Sequence, residues 1–158
     1  MIAGIDMVGA ATSILVLREH IGSRLLPIWI GVPEAQSIVM AIGNMKPPRP
    51  MTHDLIKNIA DNFDISLDKI VITDLVNNSY HARLYLKKDG KSFTIDARPS
   101  DAIALALRFD CLIFAEDKLL TNFSEQDNPQ EKTGEPPVED FETLKKLLEN
   151  THKKTKES

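Results

Sequence analysis

Asp89-Gly90 constrains this chain more than any other dipeptide in it. Such a pair supplies the positive φ values of a tight two-residue turn, so residues 80–86 and 92–97 read as the arms of a β-hairpin. Asn77-Asn78 marks the turn before it, after a strand over 69–76. The N-terminal third has the same texture. Residues 2–8, 13–18 and 25–30 are rich in Ile, Val and Leu, with a turn at Gly22-Ser23. There is also an internal echo. Asp6-Met7-Val8 stands sixteen residues before Gly22, and Asp74-Leu75-Val76 stands sixteen before Gly90. Each half then runs through a strand to a proline and an acid–alanine pair, Glu34-Ala35 or Asp101-Ala102. The pattern predicts a repeated strand–hairpin–helix unit and an α+β fold with pseudo-twofold character.

Three helices punctuate these strands. Pro33-Glu34 opens the first, with Ala35, Ile38, Val39 and Ile42 at helical spacing, and Gly43-Asn44 ends it. Thr52 is a fitting N-cap for the second, whose buried stripe is predicted to be Leu55, Ile56, Ile59, Ala60 and Phe63. The third covers 99–108. Its run Ala102-Ile103-Ala104-Leu105-Ala106-Leu107 is apolar on every side, which predicts a central helix. Residues 112–115 add a short strand. From 121 to 137 the chain turns polar and proline-bearing and reads as a linker. Phe141, Leu144, Leu147 and Leu148 follow as a short amphipathic helix, and 151–158 as a charged tail. The expected organisation is one compact domain over 1–120 and a flexible C-terminal tail over 121–158.

At 158 residues the chain is long enough for one domain with a real core. Its hydrophobic content of 42% and charged content of 27% are those of a soluble globular protein. No apolar run reaches the length of a membrane span, and the first residues lack the basic region of a secretory signal. Cys111 is the single cysteine, so no intrachain disulfide forms, and its apolar neighbours suggest an inert thiol. The cytoplasm is the expected location. A net charge of −4 does not advertise nucleic-acid binding, although Lys46, Arg49, Arg83, Lys87, Lys88, Lys91, Arg98 and Arg108 concentrate positive charge mid-chain.

Two runs concentrate chemistry. Arg49-Pro50-Met51-Thr52-His53-Asp54 and Asp96-Ala97-Arg98-Pro99-Ser100-Asp101 each set an arginine before a proline, then a hydroxyl, then an aspartate. The residue before proline is pushed to extended backbone, and proline suits a helix's first turn. Both runs therefore read as loops entering helices, and their parallel design predicts that they meet. Arg49 and Arg98 are candidate phosphate ligands, because a guanidinium binds phosphate through two hydrogen bonds. The structural alternative is a brace to Asp54, Asp96 or Asp101. Asp54, Asp96 and Asp101, with Glu34, are candidate ligands for Mg²⁺ or Mn²⁺, the ions that polarise a phosphodiester and activate water. Against that, an acid in a helix's first turn is already favoured by about 0.3–1 kcal/mol. His53 is a candidate for proton transfer. His20, His81 and His152 are scattered without zinc-site spacing, and no Walker, GxGxxG or GxSxG sequence occurs. Trp29 reads as core or interface. The apolar Ile28-Trp29-Ile30 predicts a homodimer or higher oligomer.

Leu26-Pro27-Ile28-Trp29-Ile30-Gly31 with Glu34-Ala35, the Arg49 run through Leu55, and the Asp96 run through Ala106 together resemble the bifunctional nuclease domain family. The resemblance spans roughly residues 1–120 in order and spacing. It implies a self-associating α+β domain that acts on both DNA and RNA. It transfers no catalytic assignment, so the candidate residues rest on their own chemistry. The reading is a nuclease; its rival is a non-enzymatic oligomeric module that recognises an anionic ligand or a partner protein.

Overall fold

The turns set the architecture. Asn77 and Asn78 take φ values of 48° and 60°, and Asp89 and Gly90 take 50° and 74°. Paired left-handed residues twist the backbone in the sense that flanking strands require, so each pair closes a tight hairpin. The computed structural model describes residues 1–8 and 13–122, and the expected linker and amphipathic helix beyond Asn122 lie outside the described residues. In chain order the elements are β1 (Ile2–Val8), β2 (Ser13–Glu19), β3 (Arg24–Ile30), α1 (Val32–Ile42), α2 (Thr52–Asn62), β4 (Ser66–Val76), β5 (Ser79–Lys88), β6 (Lys91–Ala97), α3 (Pro99–Phe109), β7 (Leu112–Ala115) and β8 (Thr121–Asn122). A short 3₁₀ turn, Asp117–Leu119, joins the last two strands.

The fold is α+β, and the predicted repeat is present as architecture. β1, β2 and β3 form an antiparallel meander that runs into α1; β4, β5 and β6 do the same and run into α3. The meanders lie in two four-stranded sheets, ordered β1-β2-β3-β8 and β6-β5-β4-β7. Their fourth strands differ: β8 joins β3 antiparallel, whereas β7 joins β4 in parallel after the α3 crossover. Thr121, expected in the linker, therefore pairs with Leu25, and its Oγ1 donates to the Leu25 carbonyl at 3.3 Å.

α3 is the central helix, as its all-round apolar run predicts. Ala102, Ile103, Ala104, Leu105 and Ala106 are buried. They join Leu15, Leu17, Leu26 and Ile28 of the first sheet and Ile70, Ile72, Ala82, Leu84 and Ile113 of the second in one core. Burying one such Leu or Ile side chain contributes about 1.5–3 kcal/mol. Ile28 belongs to this core rather than to an interface, while its neighbour Trp29 is 47% exposed. No described helix is long and apolar enough to cross a membrane.

α2 departs from expectation. Of its predicted stripe only Ala60 is buried; Leu55, Ile56, Ile59 and Phe63 are exposed. The inward face is instead His53, Lys57 and Ala60, spaced i, i+4, i+7, with Asp54 beside it. Lys57 places its ammonium 4.8 Å from the centre of the Phe109 ring of α3. The helix is thus turned by polar contacts, and its apolar stripe faces outward. Its N-cap is Met51 rather than Thr52.

Candidate functional site

The site begins with three helix starts. Glu34 lies in the first turn of α1, His53 and Asp54 in that of α2, and Asp101 in that of α3. Pro33 and Pro99 preset the first turns of α1 and α3. At Gly31 the backbone is extended, yet an added side chain would collide with the Glu34 carboxylate, so the residue before α1 leaves room for that acid to fold back.

The two Arg–Pro runs meet, as their parallel design predicts. His53 Nε2 lies 3.0 Å from Asp101 Oδ1. Arg98 grips the same carboxylate, its Nε 2.7 Å from Oδ2 and its Nη2 3.1 Å from Oδ1. Arg98 Nη1 then reaches Glu34 Oε1 at 3.0 Å. On the other side of the imidazole, His53 Nδ1 lies 2.9 Å from Ser37 Oγ. A continuous chain therefore runs Ser37–His53–Asp101–Arg98–Glu34. The His53 side chain is only 13% exposed, whereas that of Arg98 is 65% exposed. The imidazole is sheltered and the guanidinium faces water.

The charge on Asp101 orients the hydrogen bonds around the imidazole. Burial works against charge on Asp101, but hydrogen bonds from Arg98 and His53 outweigh it and hold the carboxyl below its usual range. An ionised Asp101 only accepts, so Nε2 of His53 donates to it. In the neutral ring Nδ1 is then the lone pair, and Ser37 Oγ–H donates to Nδ1.

A second ion pair lies behind the first. Asp54 accepts from Arg108 Nε at 2.6 Å and from the Met51 backbone N–H at 2.9 Å. The Arg108 bond, aided by that N–H, holds Asp54 below the usual carboxylate range. Arg108 also donates through Nη1 to the carbonyls of Ala104 at 2.9 Å and Ser37 at 3.3 Å. Asp54 is therefore a structural anchor that ties α2 to α3 and α1.

Asp96 and Arg49 do not join this cluster. Asp96 pairs in register with Arg83, while the next residue, Ala97, pairs with buried Ala82. Side chains alternate along a strand, so Asp96 lies on the face of its sheet away from α3. Its ionic neighbour is His81, at 3.9 Å. Arg49 is exposed and has no hydrogen-bond partner among the described residues. The carboxylates expected to share a cation are thus divided: Glu34 and Asp101 flank Arg98, Asp54 faces Arg108, and Asp96 is elsewhere. Among the described residues no group of three or more His, Cys, Asp or Glu side chains is arranged to hold a metal ion. Cys111 is half-buried, and burial pushes its thiol up to about 11, which fits an inert group.

Two members of the cluster escaped the sequence reading, Ser37 and Arg108. Both carried a signal. Ser37 follows Glu34 by three residues and Arg108 follows Asp101 by seven, so each shares a helix face with a candidate acid.

Comparison with known proteins gives the lineage. A family model described as the bifunctional nuclease domain matches residues 15–128. An uncharacterized protein of Mycobacterium tuberculosis is 35% identical over 140 residues, covering 87% of this chain and 84% of that protein. Bifunctional nuclease 1 of Oryza sativa subsp. indica is 33% identical over 98 residues, which is 60% of this chain and 30% of the rice protein. Bifunctional nuclease 2 of Arabidopsis thaliana is 32% identical over 103 residues, 63% of this chain and 31% of the plant protein. With the family model covering most of the sequence and the second sheet, all three helix starts and the Arg98 cluster inside the match, this chain belongs to the bifunctional nuclease domain family.

Proposed function

We propose that the domain is a nuclease that hydrolyses phosphodiester bonds of DNA and RNA. The observation that carries this reading is the His53–Asp101 hydrogen bond with Arg98 on the same carboxylate. Arg98 offers an exposed guanidinium to a phosphate; Arg49, outside the cluster, is an exposed cation for a different phosphate of the strand. Asp101 orients His53 and stabilises the imidazolium that forms when the ring takes a proton. The positive ends of three helices favour the same anionic group. The donor set does not fit a resident Mg²⁺ or Mn²⁺, so no step is derived through one. Metal dependence becomes one arm of the test.

The test uses the full chain with labelled single- and double-stranded DNA and RNA in Mg²⁺, Mn²⁺ or EDTA. Wild type should cleave, and Asp101→Asn should lose about 10²–10⁴-fold in rate while staying folded by circular dichroism. Absence of cleavage of every substrate by wild type overturns the reading.

One observation favours the rival. Arg98 is already held by Glu34 and Asp101, as a brace would be. Under that reading the protein binds an anionic ligand and cleaves nothing, and a titration of oligonucleotide without product formation identifies it. Self-association belongs to the same proposal, on a different surface from Ile28: the exposed α2 stripe would pack against a second copy. Light scattering at tens of micromolar should give more than the monomer mass. We place this activity in the cytoplasm, where a single unpaired cysteine is at home.

A further inference from the structure

We propose that Ser37 is the nucleophile of this site, attacking phosphorus to form a phosphoserine intermediate with the nucleic-acid strand. The inference rests on the nuclease reading and adds a covalent step to it.

The imidazole geometry leads there. Asp101 takes the Nε2–H of His53, which leaves Nδ1 as the one basic nitrogen of the ring. That nitrogen faces the Ser37 hydroxyl at 2.9 Å. A histidine acting on water needs its lone pair open to water; here the lone pair is engaged by a hydroxyl of another helix. The group that His53 can deprotonate in this arrangement is Ser37. A carboxylate orients the base, the base touches a hydroxyl, and this nucleophile–base–orienter logic is independent of fold and of which ring nitrogen plays which part.

Ser37 also lacks the ordinary habit of a helical serine. Such a hydroxyl commonly bonds back to the carbonyl four residues earlier. Ser37 turns instead to a residue sixteen positions on. Its backbone is pinned as well, because its carbonyl accepts from Arg108, which Asp54 holds in turn. Ser37 is only partly buried. Glu34, one turn earlier on α1, touches Arg98, which brings the hydroxyl into the same cluster as the guanidinium assigned to the phosphate.

The chemistry balances with water as the only co-reactant. Ser37 Oγ bonds to phosphorus as the bond from phosphorus to the leaving sugar oxygen breaks. The serine proton passes to His53 Nδ1 and from there to that oxygen. Water then attacks the phosphoserine and gives its proton to Nδ1. The Oγ–phosphorus bond breaks, and the serine recovers a proton from the ring. One water is consumed, and the strand is left with one phosphate end and one hydroxyl end.

The deciding experiment is stereochemical and needs no variant. A DNA oligonucleotide with one phosphorothioate of defined configuration is cleaved by the full chain in heavy-oxygen water. DNA is chosen because it has no 2′-hydroxyl to compete. Two in-line displacements give overall retention at phosphorus, which is the expected result; direct attack by water gives inversion. Ser37→Ala, a helix-favouring change, should lower cleavage at least about 10³-fold with the fold kept. Cleavage with inversion overturns the serine nucleophile and leaves the nuclease reading standing. Ser37→Ala cleaving at the wild-type rate does the same. No cleavage by wild type overturns the nuclease reading and this inference with it.

Discussion

The Arg98 turn and the Arg49 turn share an order of residue types and end in different places. In the first, Arg98 is the N-cap of α3 and Pro99 its first residue, so Asp101 stands three residues on and within reach of the guanidinium. In the second, Pro50 precedes the N-cap Met51, and Asp54 stands five residues beyond Arg49. Residues three apart at a helix start can touch; residues five apart across a turn point in different directions. Asp54 therefore recruits Arg108 from the far end of α3, and Arg49 has no hydrogen-bond partner among the described residues. One turn makes an exposed clamp on the candidate histidine's partner. The other makes a sheltered strut and leaves its arginine outside the cluster. Two extra residues between arginine and aspartate separate chemistry from scaffolding.

The comparison can be broken most forcefully at the strut. Arg108 has a side chain only 10% exposed and Asp54 one 27% exposed. Arg108→Met keeps the bulk but leaves Asp54 without its cation. Losing one partner of a fully buried pair costs about 3–5 kcal/mol; partial exposure lowers the expectation to about 2–3 kcal/mol. Urea unfolding measures it, and a cost below about 1 kcal/mol would show that Asp54–Arg108 is no strut.

The clamp should behave in the opposite way. Arg98→Lys keeps the charge and loses the fork. Stability should fall by less than about 1 kcal/mol, since the Arg98 side chain is largely open to water. Cleavage should fall about tenfold or more. Arg49→Lys should leave stability unchanged and alter cleavage less than Arg98→Lys does. Equal effects from the two lysine variants would erase the distinction between the turns.

Acid should sharpen it further, by a smaller effect. Asp54 and Asp101 both titrate below their ordinary value of about 3.9 in the folded protein. Their contributions to stability are complete above the unfolded value and are lost as pH falls through the folded ones. Stability should hold from pH 7 to about pH 5 and decline below about pH 4. Asp54→Asn, less stable at pH 7, should show a shallower decline, and an unchanged slope would remove Asp54 from acid sensitivity.

Turn chemistry and the apolar α3 run were legible in the sequence because they are local. Asn77-Asn78 and Asp89-Gly90 need only their own backbone preferences, and a helix apolar on all sides has nowhere to go but inward. The meeting of His53 with Asp101 was legible only as a parallel between two motifs. Asp96 misled because being near a motif in sequence says nothing about strand parity: one residue along β6 changes the face. α2 misled for a related reason. Its apolar stripe obeys helical periodicity, but a competing polar face carrying His53, Asp54 and Lys57 won the inward position. Ser37 went unseen because its one signal, a place three residues after Glu34, is common to many helical serines; it acquires meaning only when another helix brings an imidazole to it.

The way α2 is attached has a consequence for how the protein opens. Ala60 is its one buried residue, and its ties to the body are the Asp54–Arg108 pair, the two His53 hydrogen bonds and the Lys57–Phe109 contact. An element held by a few polar contacts detaches at a small fraction of the global unfolding energy, whereas α3 can leave only with the whole core. Amide protons of α2 should therefore exchange with solvent well before those of α3. Each such opening carries the imidazole away from Ser37 and Asp101 together. Under the proposed mechanism only molecules with α2 docked hold the Ser37–His53–Asp101 chain that cleavage requires, so the fraction competent to cleave is set by one helix while the rest of the fold stays closed.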